Sequence, residues 1–119
     1  MSWCFSVDKI RSWCFSGRNQ LKIKEISFDT PFDQDGGHVP DNRRIRFFHD
    51  ELTELARAIR DGARVRSFHA WSLLDNFEWA DGYSERYGLT YVDFRSQKRT
   101  PKNSALWYAK VAATNRLNT

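Results

Sequence analysis

Hydrophobic and polar positions alternate along Leu21-Lys22-Ile23-Lys24-Glu25-Ile26, which sets Leu21, Ile23 and Glu25 on one side and Lys22 and Lys24 on the other. A period of two predicts a short strand. Residues 29 to 41 then bring Asp33, Asp35, Gly36, Gly37, Pro40 and Asp41, residue types that turn the chain, and predict a surface loop. After the loop the period changes. Ile45, Phe48, Leu52, Leu55 and Ile59 recur at steps of three and four, the apolar stripe of a helix, with Asp41 placed to cap its first turn and Gly62 to end it. On its outer face the like-charged Asp50 and Glu54 are offset by Glu54 with Arg57 and Arg57 with Asp61. Such a stripe needs a sheet to lie on. Alternation over residues 65 to 71 supplies a second strand, with Val65, Ser67, His69 and Trp71 on one face and Arg66, Phe68 and Ala70 on the other, the second set expected to face the helices. Residues 87 to 94 form a further extended stretch. A last helix is predicted from Thr100 as N-cap and Pro101 in the first turn, with Ala105, Tyr108, Ala109 and Ala112 along one side and Asn115 as its stop. The order is strand, loop, helix, strand, long loop, helix: two consecutive βα units of an α/β protein.

Composition narrows this picture. At 119 residues the chain has the length of one small domain, and 40% hydrophobic with 15% aromatic residues is globular composition. The net charge of +4 comes largely from arginines between residues 43 and 66. Asp50, Glu51, Glu54 and Asp61 are interleaved among them, so the segment reads as a solvated helix face and no nucleic-acid partner is expected. Cys4 and Cys14 sit in a duplication, Ser2-Trp3-Cys4-Phe5-Ser6 recurring as Ser12-Trp13-Cys14-Phe15-Ser16, with no His or second Cys at metal-ligand spacing. No metal is expected there. The N-terminus lacks a charged region followed by a continuous apolar run, and nothing later approaches a membrane-spanning length, so a cytoplasmic chain without membrane contact is expected. Residues 1 to 20 read as a poorly ordered leader, and residues 21 to 119 as the structured part.

The candidate chemistry lies at the end of the second strand. The run Ala70-Trp71-Ser72-Leu73-Leu74-Asp75-Asn76-Phe77-Glu78-Trp79-Ala80-Asp81-Gly82-Tyr83 sets two indoles beside two acids and an amide, a mixture that core packing does not need. Pyranoses have C–H patches that lie on aromatic rings and a rim of hydroxyls that carboxylates, amides and indole N–H groups can bond. This is sugar-site chemistry. Asp75 and Asn76 are expected to tie down the loop by satisfying backbone groups. His69 reads as a hydrogen-bonded residue of its strand rather than a catalytic base.

Residues 70 to 83, continued by Arg86-Tyr87-Gly88-Leu89-Thr90-Tyr91-Val92-Asp93-Phe94 and Gln97-Lys98-Arg99-Thr100-Pro101-Lys102, closely resemble the C-terminal end of family 1 glycoside hydrolases, the β-glucosidase family. The resemblance implies a (β/α)8 TIM barrel. A complete barrel takes about 250 residues, so the expected fold is a truncated barrel, its last two βα units only. The resemblance further implies that Trp71 forms a stacking floor, that Glu78 accepts hydrogen bonds from sugar hydroxyls, and that Trp79 donates its indole N–H to a neighbouring hydroxyl.

Retaining glycosidases need two carboxyl groups about 5 to 5.5 Å apart. In the resembled family the nucleophile stands in a Thr-Glu-Asn-Gly motif, whose counterpart by position is Glu25; Lys24, Ile26 and Ser27 depart from that motif. Glu25 is thus either the nucleophile equivalent or a solvated strand-end carboxylate. The family's acid stands in an Asn-Glu-Pro motif that this sequence does not contain. What the resemblance implies is a β-glucosidase-like hydrolase without a cofactor, acting on a β-glucoside or related sugar. The alternative is a non-catalytic sugar-binding remnant, or a subunit complementing a separately encoded N-terminal barrel portion. Two open strand edges also predict aggregation or self-association.

Overall fold

The computed structural model describes residues 13–16, 20–23, 37 and 39–117. Strands β1 (Trp13–Ser16) and β2 (Gln20–Ile23) are followed by helix α1 (Asn42–Arg60) and strand β3 (Ser67–Ala70). A long loop then leads to strands β4 (Thr90–Val92) and β5 (Arg99–Pro101) and to helix α2 (Asn103–Thr114). β2 and β3 pair in parallel, Gln20 opposite Ser67 through Ile23 opposite Ala70, with α1 as the connection between them. This is a βαβ unit. β1 pairs antiparallel with β2, so the sheet order is β1-β2-β3. The predicted leader, residues 1–20, thus contributes a strand at 13–16, and the rest of it up to residue 19 lies outside the described residues.

α1 forms where the stripe predicts it, but its buried face is rotated towards polar residues. Phe48 and Leu55 are buried as expected, Ile59 is 45% exposed, and Arg44 and Glu51 are buried in its place. Phe48 and Leu89 centre the core, with Phe47, Phe68, Ala70, Ala105, Trp107 and Tyr108 packed around them. Phe68 and Ala70 therefore turn to the helices, as the alternation in β3 predicts. His69 is exposed, its Nε2 lying 3.1 Å from Ser67 Oγ within the same strand.

The helix caps depart from expectation. The Asp41 side chain caps no backbone N–H in the first turn of α1, although its Oδ2 pairs with Arg44 Nε at 3.3 Å. Instead its Oδ1 accepts from the backbone N–H of Ser104, 2.8 Å away, and its Oδ2 from the Ser104 hydroxyl. Asp41 thus caps α2, not α1. Thr100 is no cap either: it lies in β5 opposite Tyr91, and α2 begins two residues later than its expected first turn. Pairing with β4 holds residues 99–101 extended, which competes with helix formation at the Thr-Pro signal. Asn115 ends α2 in the left-handed conformation, φ 52°, as expected of a C-terminal Asn.

Glu51 makes the fold pH-dependent. Burial, with Asp50 and Glu54 adding to it, raises its carboxyl from 4.5 to about 7, and Oε2 has no hydrogen-bond partner among the described residues. A raised acid favours the neutral form in the folded state. Its contribution to stability is therefore present at low pH and is lost as pH rises from 4.5 through about 7. The loss is on the order of 2 kcal/mol. Glu51→Gln should flatten this decline. Urea unfolding at about pH 5 and about pH 8 checks it, and equal pH dependence in wild type and variant would contradict the assignment.

Candidate functional site

The loop from Trp71 to Arg86 is built outward from one carboxylate. Residues 72 to 75 run alongside 87 to 90: Ser72 N donates to Tyr87 O at 3.1 Å, Leu89 N to Ser72 O at 2.7 Å, Thr90 N to Leu73 O at 3.0 Å and Asp75 N to Thr90 O at 3.0 Å. This brings Asp75, 4% exposed, into the interior. Its Oδ1 accepts from Lys102 Nζ at 2.9 Å and from Gly88 N at 3.0 Å, and its Oδ2 from Arg86 Nη1 at 3.0 Å and Val92 N at 3.3 Å. Every lone pair that matters is used.

The cations are held in turn. Arg86 Nη1 also donates to Val92 O at 2.8 Å, and its guanidinium lies 4.5 Å from the ring centres of both Tyr91 and Phe94. Lys102, fully buried, donates a second time to Arg86 O at 3.1 Å. From α1, Arg44 donates to the carbonyls of Tyr87, of Gly88 at 3.1 Å and of Arg86 at 2.7 Å. Burial pulls both Arg44 and Lys102 below their usual pKa ranges, while the carboxylates of Asp41 and Asp75 push the other way. These are the ties that fix the loop to the rest of the fold.

Asn76 secures the first bend. Its Nδ2 donates to Ser72 Oγ at 3.1 Å and to Leu74 O at 3.0 Å. Asp75 and Asn76 therefore tie down the loop, as expected of them from sequence. Beyond them the chain closes a short 3-10 turn, Trp79–Asp81, with Glu78 N donating to Gly82 O at 2.7 Å and Gly82 N to Trp79 O at 3.2 Å. Gly82 there has φ 60°, a conformation that its lack of a Cβ permits. Phe77, Tyr83 and Phe94 stack edge to face, with centroid separations of 5.4 and 4.7 Å, and shore up the turn.

On this scaffold the three predicted sugar-binding residues differ sharply in environment. Glu78 is 6% exposed, and its Oε1 has no hydrogen-bond partner among the described residues. Trp79 follows it with φ 48° and is 85% exposed, and Trp71, at the end of β3, is 45% exposed. A buried polar atom left unmatched costs roughly 1–3 kcal/mol, and Glu78 Oε1 has acceptor capacity to spare. The two indoles offer flat apolar area without burying it. Glu25, the expected nucleophile equivalent, lies outside the described residues.

Sequence reasoning did not single out Arg44 or Lys102 as supports of this loop, or Asp41 as the cap of α2. The loop partners of Arg44 and Lys102 stand 16 to 44 residues away and that of Asp41 63 residues away, and no local pattern marks them. Among the described residues, no group of three or more His, Cys, Asp or Glu could hold a metal ion, and no helix is long and apolar enough to cross a membrane.

Residues 21–117 match the family model of glycosyl hydrolase family 1. Among characterised proteins, the chain is 47% identical over 83 residues to a 1,4-beta-D-glucan glucohydrolase of Thermotoga neapolitana, covering 70% of this chain and 19% of the relative. It is 48% identical over 100 residues to a 6-phospho-beta-galactosidase of Streptococcus equi subsp. zooepidemicus, covering 84% of this chain and 20% of that protein. Among solved structures, a family 1 β-glucosidase from Thermotoga maritima superposes with a TM-score of 0.78 at 40% identity, over 84% of this chain and 23% of that one. The chain thus spans about a fifth of the length of the curated relatives it matches.

Proposed function

The chain belongs to glycosyl hydrolase family 1, and from that premise we propose that it carries the sugar-holding portion of a β-glucosidase-like glycoside hydrolase. In this reading β2–α1 and β3–α2 are the last two βα units of a truncated (β/α)8 barrel, and the loop after β3 is its sugar-binding rim. Active sites of such barrels lie at the C-terminal ends of the strands, which is where Trp71 stands relative to β3.

The observation that carries the proposal is Glu78: a carboxylate 6% exposed, with one oxygen unmatched among the described residues, in a loop that also carries the accessible indoles of Trp71 and Trp79. A sugar hydroxyl would supply the missing donor. Trp71 would take the C–H face of the ring, and the Trp79 indole N–H a neighbouring hydroxyl. Asp75, Arg86 and Lys102 hold the loop in place but do not face the sugar in this assignment. The Thermotoga maritima β-glucosidase that superposes on this chain is known in complex with castanospermine and with deoxynojirimycin, which supports a sugar-like ligand in this reading.

For turnover, Glu25 is the proposed nucleophile by its position in the family motif. A retaining mechanism also needs a second carboxyl group to protonate the leaving oxygen and then to activate water. This chain has no Asn-Glu-Pro segment to provide it. The departures of Lys24, Ile26 and Ser27 from the motif around Glu25 favour a second reading, in which the chain binds sugar without cleaving it or complements a barrel portion encoded elsewhere.

The two readings share a binding test. Glucose titrated against tryptophan fluorescence should show saturable binding, and Glu78→Ala and Trp79→Ala should each weaken it about tenfold or more, the loss expected when a dry site leaves hydroxyls unmatched. Unchanged affinity in both variants would refute the proposed subsite. On an aryl β-glucoside the chain alone should show no turnover above background. Turnover that scales with pure protein and survives Glu25→Gln would instead show a catalytic pair that does not include Glu25.

A further inference from the structure

β1 differs from the rest of the sheet in its place relative to the family match and in its direction. It precedes the family match, which begins at residue 21. It also runs antiparallel to β2, whereas β2 and β3 run parallel. The strands of a (β/α)8 barrel are all parallel, and closure gives each a neighbour on both sides. β1 therefore cannot be a barrel strand, yet it sits where one would pair. With β3 on one edge of β2 and β1 on the other, neither edge of β2 is open. The ladder is complete, Trp13 opposite Ile23 through Ser16 opposite Gln20, so each residue of β2 has a partner in β1.

We propose that β1 is an edge seal: residues 13–16 occupy the pairing edge of β2 and keep any other strand off it, whether from a second copy of the chain or from a barrel portion supplied separately. An open edge presents unpaired N–H and C=O groups and invites strand addition. Only Gly17, Arg18 and Asn19 separate β1 from β2, so the seal is a hairpin partner rather than a remote one. A tether that short gives an effective concentration in the millimolar range. A free strand of equal intrinsic affinity would have to exceed about that concentration to displace β1. The contact is thus autoinhibitory towards barrel assembly: a barrel strand can join β2 only after β1 leaves, and the open edges of the sheet are the outer sides of β1 and β3.

Two experiments on the full-length chain test this. In antiparallel pairs opposite Cα atoms lie about 4.5 to 5.5 Å apart, within the span of about 4.4 to 6.8 Å that a disulfide bridges. Lys22→Cys, made together with Cys4→Ser, places a thiol opposite native Cys14. Mild oxidation should yield an intramolecular disulfide between position 22 and Cys14, identified by peptide mapping of the monomer fraction. A folded variant, with the helical circular dichroism of the wild type, that forms no such bond overturns the proposal. The second experiment replaces Cys14 and Phe15 by proline. Adjacent strand residues point their N–H groups to opposite sides, so one of the two prolines removes a donor to β2. Hydrogen exchange at the amides of residues 20–23 should speed at least tenfold over the wild type. Unchanged exchange refutes the sealing role. If the proline variant does not fold, the disulfide result decides alone.

Discussion

Gly88→Ala is expected to abolish cooperative folding, measured as loss of a sigmoidal urea transition in circular dichroism. A Cβ at this position would lie 2.1 Å from Asp75 N, 2.3 Å from Leu74 C and 2.8 Å from Asp75 Oδ1. Two of the three are backbone atoms. They belong to the segment that pairs with residues 87–90, so they cannot retreat without breaking that pairing. The same residue donates its N–H to Asp75 Oδ1 and accepts from Arg44 Nη1, and any shift of its own backbone loses both bonds. Backbone conformation is not the issue, because Gly88 is not among the residues of positive φ. Overpacking at rigid sites costs about 1–3 kcal/mol or more. Adding the lost hydrogen bonds brings the total to about 4 kcal/mol or more, which approaches the whole stability of a small domain. A variant with the wild-type midpoint would mean that residues 74–75 do not pass where this structure puts them.

Asp75→Ala should be nearly as damaging, for an electrostatic reason. It leaves fully buried Lys102 without its carboxylate, and Arg86 with only its carbonyl and ring contacts among the bonds described above. Removing one partner of a buried ion pair typically costs about 3–5 kcal/mol, because the remaining charge is stranded in low dielectric. The origin of the loss can be separated from simple loss of packing. If the stranded charge dominates, the double variant Asp75→Ala with Lys102→Met should regain part of the stability that Asp75→Ala alone loses. Equal or lower stability of the double variant, in the same denaturant titration, would show that Asp75 acts through its bonds to Gly88 and Val92 instead.

How much of this was legible in the chain depends on the reach of each interaction. The steps of three and four from Ile45 to Ile59 foretold α1, and the alternation through Phe68 and Ala70 foretold which face of β3 meets the helices, because both patterns are local. Asp41 and Thr100 are local signals too, yet both were misassigned. Asp41 had a stronger option at Ser104, 63 residues away, and pairing with Tyr91 claimed Thr100 for a strand. The burial of Arg44 on α1 follows from carbonyls more than forty residues downstream, at Arg86, Tyr87 and Gly88, whereas none of the bonds described accounts for the burial of Glu51. At the candidate site, the roles of Asp75 and Asn76 were readable from residue type, since a buried Asp-Asn pair has few other uses. The burial of Glu78 beside an almost fully exposed Trp79 was not, because no periodicity governs a loop whose path is set by Arg86, Lys102 and Gly88.

The backbone at Trp79 has a consequence for how this sequence would change under selection. A bulky residue at φ 48° pays roughly 1–3 kcal/mol that a glycine would not, and at 85% exposure its ring recovers little of that through packing. Selection for thermal endurance alone would drive position 79 towards Gly or Asn. If Trp79 binds sugar as proposed, selection for sugar capture would hold the indole in place. A library sorted first for heat resistance and then for glucose binding should therefore split at this residue, and the frequency of Trp79 among survivors reports which pressure prevailed.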